Sequence, residues 1–89
     1  MPRVVVSDDF IDSAAALYSD RVFNEVFHFL DLLETTPEIG STNLPERILR
    51  RFGDNCRKIV VDPFDILYRY DPETDTVYVA ELIHQRRVY

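Results

Sequence analysis

The sequence predicts an α+β fold, in which an N-terminal strand and a two-helix antiparallel hairpin pack on a mainly antiparallel sheet that ends in a C-terminal β-meander. Three observations carry this. Residues 56 to 84 hold three apolar runs rich in Val, Ile and Tyr, separated by Asp-Pro steps, the pattern of strands joined by tight turns. Residues 7 to 35 contain no Gly or Pro and repeat their apolar side chains at helical spacing instead. Between these two regions, residues 37 to 48 carry two prolines and a glycine, the one long break in the chain. The 89 residues make a single domain, 1–89, and a chain of this size buries only about 60 to 65% of the surface it exposes when unfolded.

Taken in order, Arg3-Val4-Val5-Val6 is a short β-branched strand. Ser7 suits a helix N-cap, because its hydroxyl can accept from an unpaired amide of the first turn, and Asp8 and Asp9 are favoured there by the helix dipole. Phe10, Ala14, Leu17 and Tyr18 form one face of this helix. Ser19-Asp20 offers a second cap. Val22, Phe23, Val26, Phe27, Leu30 and Leu33 then recur at helical spacing to about Thr35, ahead of Pro37. A connection this short makes the two helices an antiparallel hairpin. Residues 37 to 48 read as an ordered loop, and Ile48 to Phe52 as a short strand or helical turn ending at Gly53-Asp54-Asn55. The meander strands are Cys56 to Asp62, Phe64 to Tyr70 and Thr76 to His84. Pro63 and Pro72 suit the second position of turns, where the ring presets φ. Phe64, Ile66 and Tyr68 share one face of their strand, and a core on that face makes Ile66 a buried position. Both faces of the last strand carry apolar residues, so a partner is expected to cover one of them.

Composition narrows the chemistry. Net charge is −6, but residues 1 to 46 have two basic and nine acidic side chains, and residues 47 to 89 have eight and seven. Any contact with a polyanion is therefore local to the C-terminal half. One cysteine permits neither an intramolecular disulfide nor a cysteine metal site. There is no phosphate-binding Gly-rich loop, CxxC, HExxH or GxSxG. No metal and no cofactor is expected. His28, with only Asp31 at helical reach, reads as a helix-boundary histidine paired with Asp31, and Cys56 as a small buried residue. Without a signal-peptide h-region or a long apolar run, no membrane association is expected and the cytoplasm is the default compartment.

What remains is a cationic set. Arg57, Lys58, Arg69, His84, Arg86 and Arg87 lie on or beside strands that a meander brings together, with Tyr68, Tyr70 and Tyr89 between them. Such groups hold phosphates and stack on bases. They are equally the composition of a solvated sheet face balanced by Asp62, Asp65, Asp71 and Glu81. The residues alone leave both readings open.

Arg57-Lys58-Ile59-Val60-Val61, Phe64-Asp65-Ile66-Leu67-Tyr68-Arg69-Tyr70 and the ending Ala80-Glu81-Leu82-Ile83-His84-Gln85-Arg86-Arg87 give the chain a resemblance to the RelE/ParE superfamily of type II toxin-antitoxin systems, also called plasmid stabilisation proteins. The resemblance covers nearly the whole chain. Its most specific pieces are an (F/Y)-x-I-x-Y strand, Phe64 to Tyr68, and a hydrophobic-His-x-x-Arg ending at Ile83, His84 and Arg87. It implies a growth-inhibiting toxin neutralised by a cognate antitoxin that folds onto it, covering apolar surface and pairing acidic residues with the toxin's arginines. Self-association as a homodimer is compatible with it.

The superfamily divides by target. In RelE-like members, which cut mRNA on the ribosome, the resemblance would make Arg57 a phosphate ligand and His84 or Tyr89 the proton-transfer group. Against this, Asp65 stands where that branch often has arginine, and Lys58 is the only lysine. The Phe64–Tyr70 strand and the His84 to Arg87 ending look more like the ParE-like branch, which poisons DNA gyrase. That resemblance makes Arg57, Arg69, His84, Arg86 and Arg87 target- or antitoxin-binding residues rather than catalysts. A third expectation is a non-toxic module that only binds an antitoxin.

Overall fold

The structure, a computed structural model, describes residues 1–88. Its elements are β1 (Arg3–Val6), α1 (Asp8–Ala15), α2 (Asp20–Leu33), α3 (Glu46–Phe52), β2 (Cys56–Val61), β3 (Phe64–Asp71), β4 (Thr76–His84) and α4 (Gln85–Val88). The strands form one sheet in the order β1-β4-β3-β2. β2, β3 and β4 are the antiparallel meander, and β1 lies parallel to β4. This is the α+β plan that the sequence implies.

Both expected N-caps form. The Ser7 hydroxyl accepts from the Phe10 amide at 3.0 Å and donates to the Ala80 carbonyl at 2.6 Å, so it starts α1 and ties it to β4. The Ser19 hydroxyl accepts from the Val22 amide at 3.3 Å. α2 ends at Leu33, two residues short of the expected end, and the Thr35 and Thr36 amides donate to the Leu32 carbonyl in the turn that follows.

Four details differ from the sequence reading. Of the strand and the helical turn left open for Ile48 to Phe52, the helix forms, and it starts two residues earlier, because Pro45 presets the entry, Glu46 favours the first turn and Gly53, at φ 102°, turns the chain out. The loop is correspondingly shorter, and it is stitched to the free edge of β2 by reciprocal Ser41–Lys58 backbone hydrogen bonds of 2.9 Å. Pro63 occupies the third position of the Val61–Phe64 turn, with a cis bond from Asp62, not the second. The register steps between Leu67 and Tyr68, which pair with Glu81 and Val79, leaving Ala80 as an extra residue in β4. That bulge is why Val77, Val79 and Leu82 can all face one way.

The sheet has a core on each face. On one, Phe10, Ala14, Val22, Val26 and Leu33 of the hairpin meet Ile59, Val61, Ile66, Tyr68, Val77, Val79 and Leu82. On the other, Ile48 of α3 covers Cys56 and Leu67, with Leu44, Leu49, Phe52 and Ile83 around them. The helices are therefore divided between the faces. α3 itself supplies part of the cover that the apolar second face of β4 was expected to require from a partner.

Candidate functional site

The meander carries the cationic residues to two separate ends of the sheet. At one end, Arg57 stands opposite Tyr68 and shares the hairpin face with Ile59 and Val61. Its guanidinium donates to the Glu38 carbonyl at 3.1 Å and the Gly40 carbonyl at 2.9 Å, and lies 3.7 Å from the Glu38 carboxylate. Beside it the Gly40 amide donates to the Tyr68 hydroxyl at 2.7 Å. A Cβ on Gly40 would sit 2.7 Å from Tyr68 Cε1 and Oη and 2.9 Å from the Lys58 carbonyl, so only glycine fits. Burial pushes the Tyr68 phenol above its ordinary pKa, partly offset by the Gly40 amide and the Arg57 charge. At neutral pH it is a protonated structural hydroxyl. This end is a clamp that fastens the 34–45 loop.

At the other end β4 runs out at His84. The imidazole meets the Phe64 ring edge-on at 5.2 Å, and its Nδ1 accepts from the Arg86 amide at 3.1 Å, which leaves the proton of the neutral ring on Nε2. The chain is then turned back by Gln85, whose amide donates to the Pro63 carbonyl at 2.9 Å and whose side chain donates to the Asp65 carboxylate at 3.1 Å. Asp65 is 1% exposed. It belongs to the internal support of the C-terminal turn and not to the surface charge of the sheet.

Two clefts open beside this turn. One, of about 490 Å³, lies between the α1–α2 junction and the sheet, where Tyr18, Arg21, Phe64, His84 and Arg87 surround the apolar Leu17 and Leu82. The other, of about 510 Å³, lies on the opposite face and is lined by Arg47, Ile48, Arg51, Glu81, Ile83 and Arg87. Arg87 borders both. In the second cleft three guanidinium groups face one carboxylate, Glu81, which is 3.8 Å from Arg51. Arg51 also stacks on Phe52 at 4.8 Å, while neighbouring Arg50 pairs with Glu46 at 3.1 Å.

The expected site residues are thus divided. His84 and Arg87 share one cleft, and Arg86 is exposed beside them on α4. Arg69 stands apart on the second face, 4.5 Å over the Tyr78 ring. Arg57 and His84 are offset by about 13 Å along the strands, since their partners Tyr68 and Phe64 are four residues apart on β3, and they also lie on opposite sides of β3. Tyr89 lies outside the described residues. Cys56 is buried, and burial raises its thiol pKa, so it is no nucleophile. His28 is exposed against Phe29, 5.9 Å between ring centres.

Sequence reasoning missed Arg47, Arg51, Arg21 and Tyr18. Arg47 and Arg51 are four apart and share a helical face, a signal that a loop over residues 37 to 48 hides. By spacing, Tyr18 falls on the apolar face of the first helix, but α1 ends at Ala15 and the ring is fully exposed. Among the described residues, no group of His, Cys, Asp or Glu is placed to hold a metal ion, and no helix is long and apolar enough to cross a membrane.

This fold is that of the RelE-type toxins. The chain superposes on the toxin of the Mycobacterium tuberculosis RelBE2 toxin-antitoxin complex with a TM-score of 0.71 and 24% identity, over 94% of this chain and 99% of that one. Against isolated Escherichia coli RelE the values are 0.71 and 16%, over 94% and 84%. Against the intact E. coli RelBE complex they are 0.68 and 15%, over 92% and 94%. No curated protein matches the sequence significantly. Residues 4–89 match the model of the ParE toxin of the type II toxin-antitoxin system parDE, and the chain belongs to that family. It is a type II toxin of the RelE/ParE superfamily.

Proposed function

We propose that this toxin inhibits growth by binding and poisoning DNA gyrase, that it is not a ribosome-dependent nuclease, and that a cognate antitoxin neutralises it by covering its binding surfaces. The observation that carries the reading is the separation of Arg57 from His84. Cleavage of RNA at a 2′-hydroxyl requires a general base and a cation within hydrogen-bond reach of one phosphate. Here Arg57, the cation that the nuclease reading needs, is committed to two loop carbonyls, and His84 is offset from it by about 13 Å along the strands and lies two strands across. Asp65, buried and bonded to Gln85, supplies no positive charge in between.

The ParE family match favours gyrase as the target. In this reading the exposed Arg86 and Arg87, with Arg47 and Arg51 across the sheet end, make charged contacts with the target or the antitoxin. An antitoxin partner is supported by the relatives of the same fold, which were solved as RelBE toxin-antitoxin complexes. The test is induced expression in a bacterial host, with growth, plasmid supercoiling and transcript integrity followed in one culture. Loss of supercoiling with intact transcripts is expected. Transcripts cut while supercoiling is normal would overturn the reading, and absence of any growth effect would reduce the function to antitoxin binding.

A further inference from the structure

Between the two helices of the hairpin, beside β1, runs a groove that shares no lining residue with the clefts at the sheet end. It has a volume of about 250 Å³ and is lined only by Val6, Phe10, Ile11, Ala14, Ala15, Phe23, Phe27 and Leu30. Three of its large side chains are open to solvent, Ile11 at 49%, Phe23 at 41% and Phe27 at 40%, with the two phenyl ring centres 4.6 Å apart and the rings tilted by 37°. Apolar surface so gathered marks a contact site.

Its charge identifies the kind of contact. On α1, Asp8 and Asp12 lie within three or four residues of Ile11 and Ala15, hence on the same strip of helix. On α2 and at its C-cap, Asp20, Asp31 and Glu34 stand in the same relation to Phe23, Phe27 and Leu30. All five are exposed, and none is in an ion pair among the described residues. No lysine or arginine pairs with them among the described residues. The N-terminal half has only two: Arg3 alternates with Val4 and Val6 and so lies on the other face of β1, and Arg21 is bound to Glu25 at 3.1 Å and to the Asp62 carbonyl at 3.2 Å.

The geometry points to this groove as the docking site for a basic amphipathic helix of a partner protein, its apolar stripe on Phe23 and Phe27 and its flanking lysines or arginines on the acidic rims. α2 has 14 residues, a length of about 21 Å that suits a partner helix of three to four turns in a helix-in-groove contact. A second copy of this chain is a poor occupant, because a two-fold contact would oppose the same carboxylates to one another. The inference is independent of whether gyrase is the toxin's target.

The purified full chain is titrated with two designed amphipathic peptides by fluorescence anisotropy. Both carry a leucine stripe, flanked in one by lysines and in the other by glutamates. The lysine peptide is expected to bind at least about tenfold more tightly, with an advantage that shrinks as salt is raised. Phe27→Ser, at an exposed position, should abolish that binding without changing the circular dichroism spectrum, and Asp12→Asn with Asp31→Asn should remove most of the charge preference. Equal or tighter binding of the glutamate peptide, or binding indifferent to Phe27→Ser, would overturn the proposal. So would sedimentation of the free chain as a dimer that Phe27→Ser converts to monomer, since the groove would then be a contact between copies.

Discussion

The two ends of the sheet use the same residue types to opposite purposes. At the Arg57 end the donors that meet the loop are spent within the molecule: the guanidinium on Glu38 and Gly40, the Gly40 amide on the Tyr68 hydroxyl, and the loop edge on β2 through Ser41. At the His84 end the internal bonds are made by Gln85, while Arg47, Arg86 and Arg87 have no ion-pair partner among the described residues. The comparison teaches that a cation on a strand is scaffold or site according to what the rest of the chain brings to it. A guanidinium satisfied by carbonyls has little left for a ligand.

The two ends differ in what mutation should do, and the largest effect belongs to the core they share. Ile66 is fully buried between them, so Ile66→Ala should cost about 2 to 5 kcal/mol in denaturant unfolding. A midpoint equal to wild type would mean the strand faces are reversed. Next comes the clamp. Gly40→Ala forces a Cβ against Tyr68 and the Lys58 carbonyl and should cost about 1 to 3 kcal/mol, with faster proteolysis of the 34–45 loop. Arg57→Ala should expose the same loop at a cost of about 1 kcal/mol, because its bonds are charge-assisted but partly open to solvent. An unchanged cleavage rate in that loop would break the assignment of Arg57 as its fastener. The smallest stability effect belongs to the open end. Arg86→Ala with Arg87→Ala, both exposed, should shift stability by less than about 0.5 kcal/mol, so a large drop in melting temperature would make α4 part of the scaffold.

Much of this was legible in the sequence. The meander could be read because Val, Ile and Tyr runs broken by Asp-Pro leave few alternatives, and the hairpin because Ser7 and Ser19 start helices whose apolar spacing is unambiguous. The Ala80 bulge could not, since one extra residue leaves a run like Val77-Tyr78-Val79-Ala80-Glu81-Leu82 looking apolar on both faces. α3 has only seven residues, too few to display a period, and its start at Pro45 looked like more loop. With it went Arg47 and Arg51. The fate of Arg57 was hidden for a different reason: its partners are backbone carbonyls 17 and 19 residues away, and every residue has a carbonyl. Only the fold says which ones arrive. The pairing of Asp65 with Gln85 was hidden in the same way, by a separation of 20 residues.

The measurement that tests this account most directly is growth after induction of Arg57→Ala and of Arg86→Ala with Arg87→Ala, compared with wild type at matched levels of soluble protein. If the His84 end is the working surface and the Arg57 end its scaffold, the single variant stays toxic while the double variant, although folded, does not. Toxicity lost with Arg57 and kept without Arg86 and Arg87 would contradict the account and return Arg57 to the centre of the site.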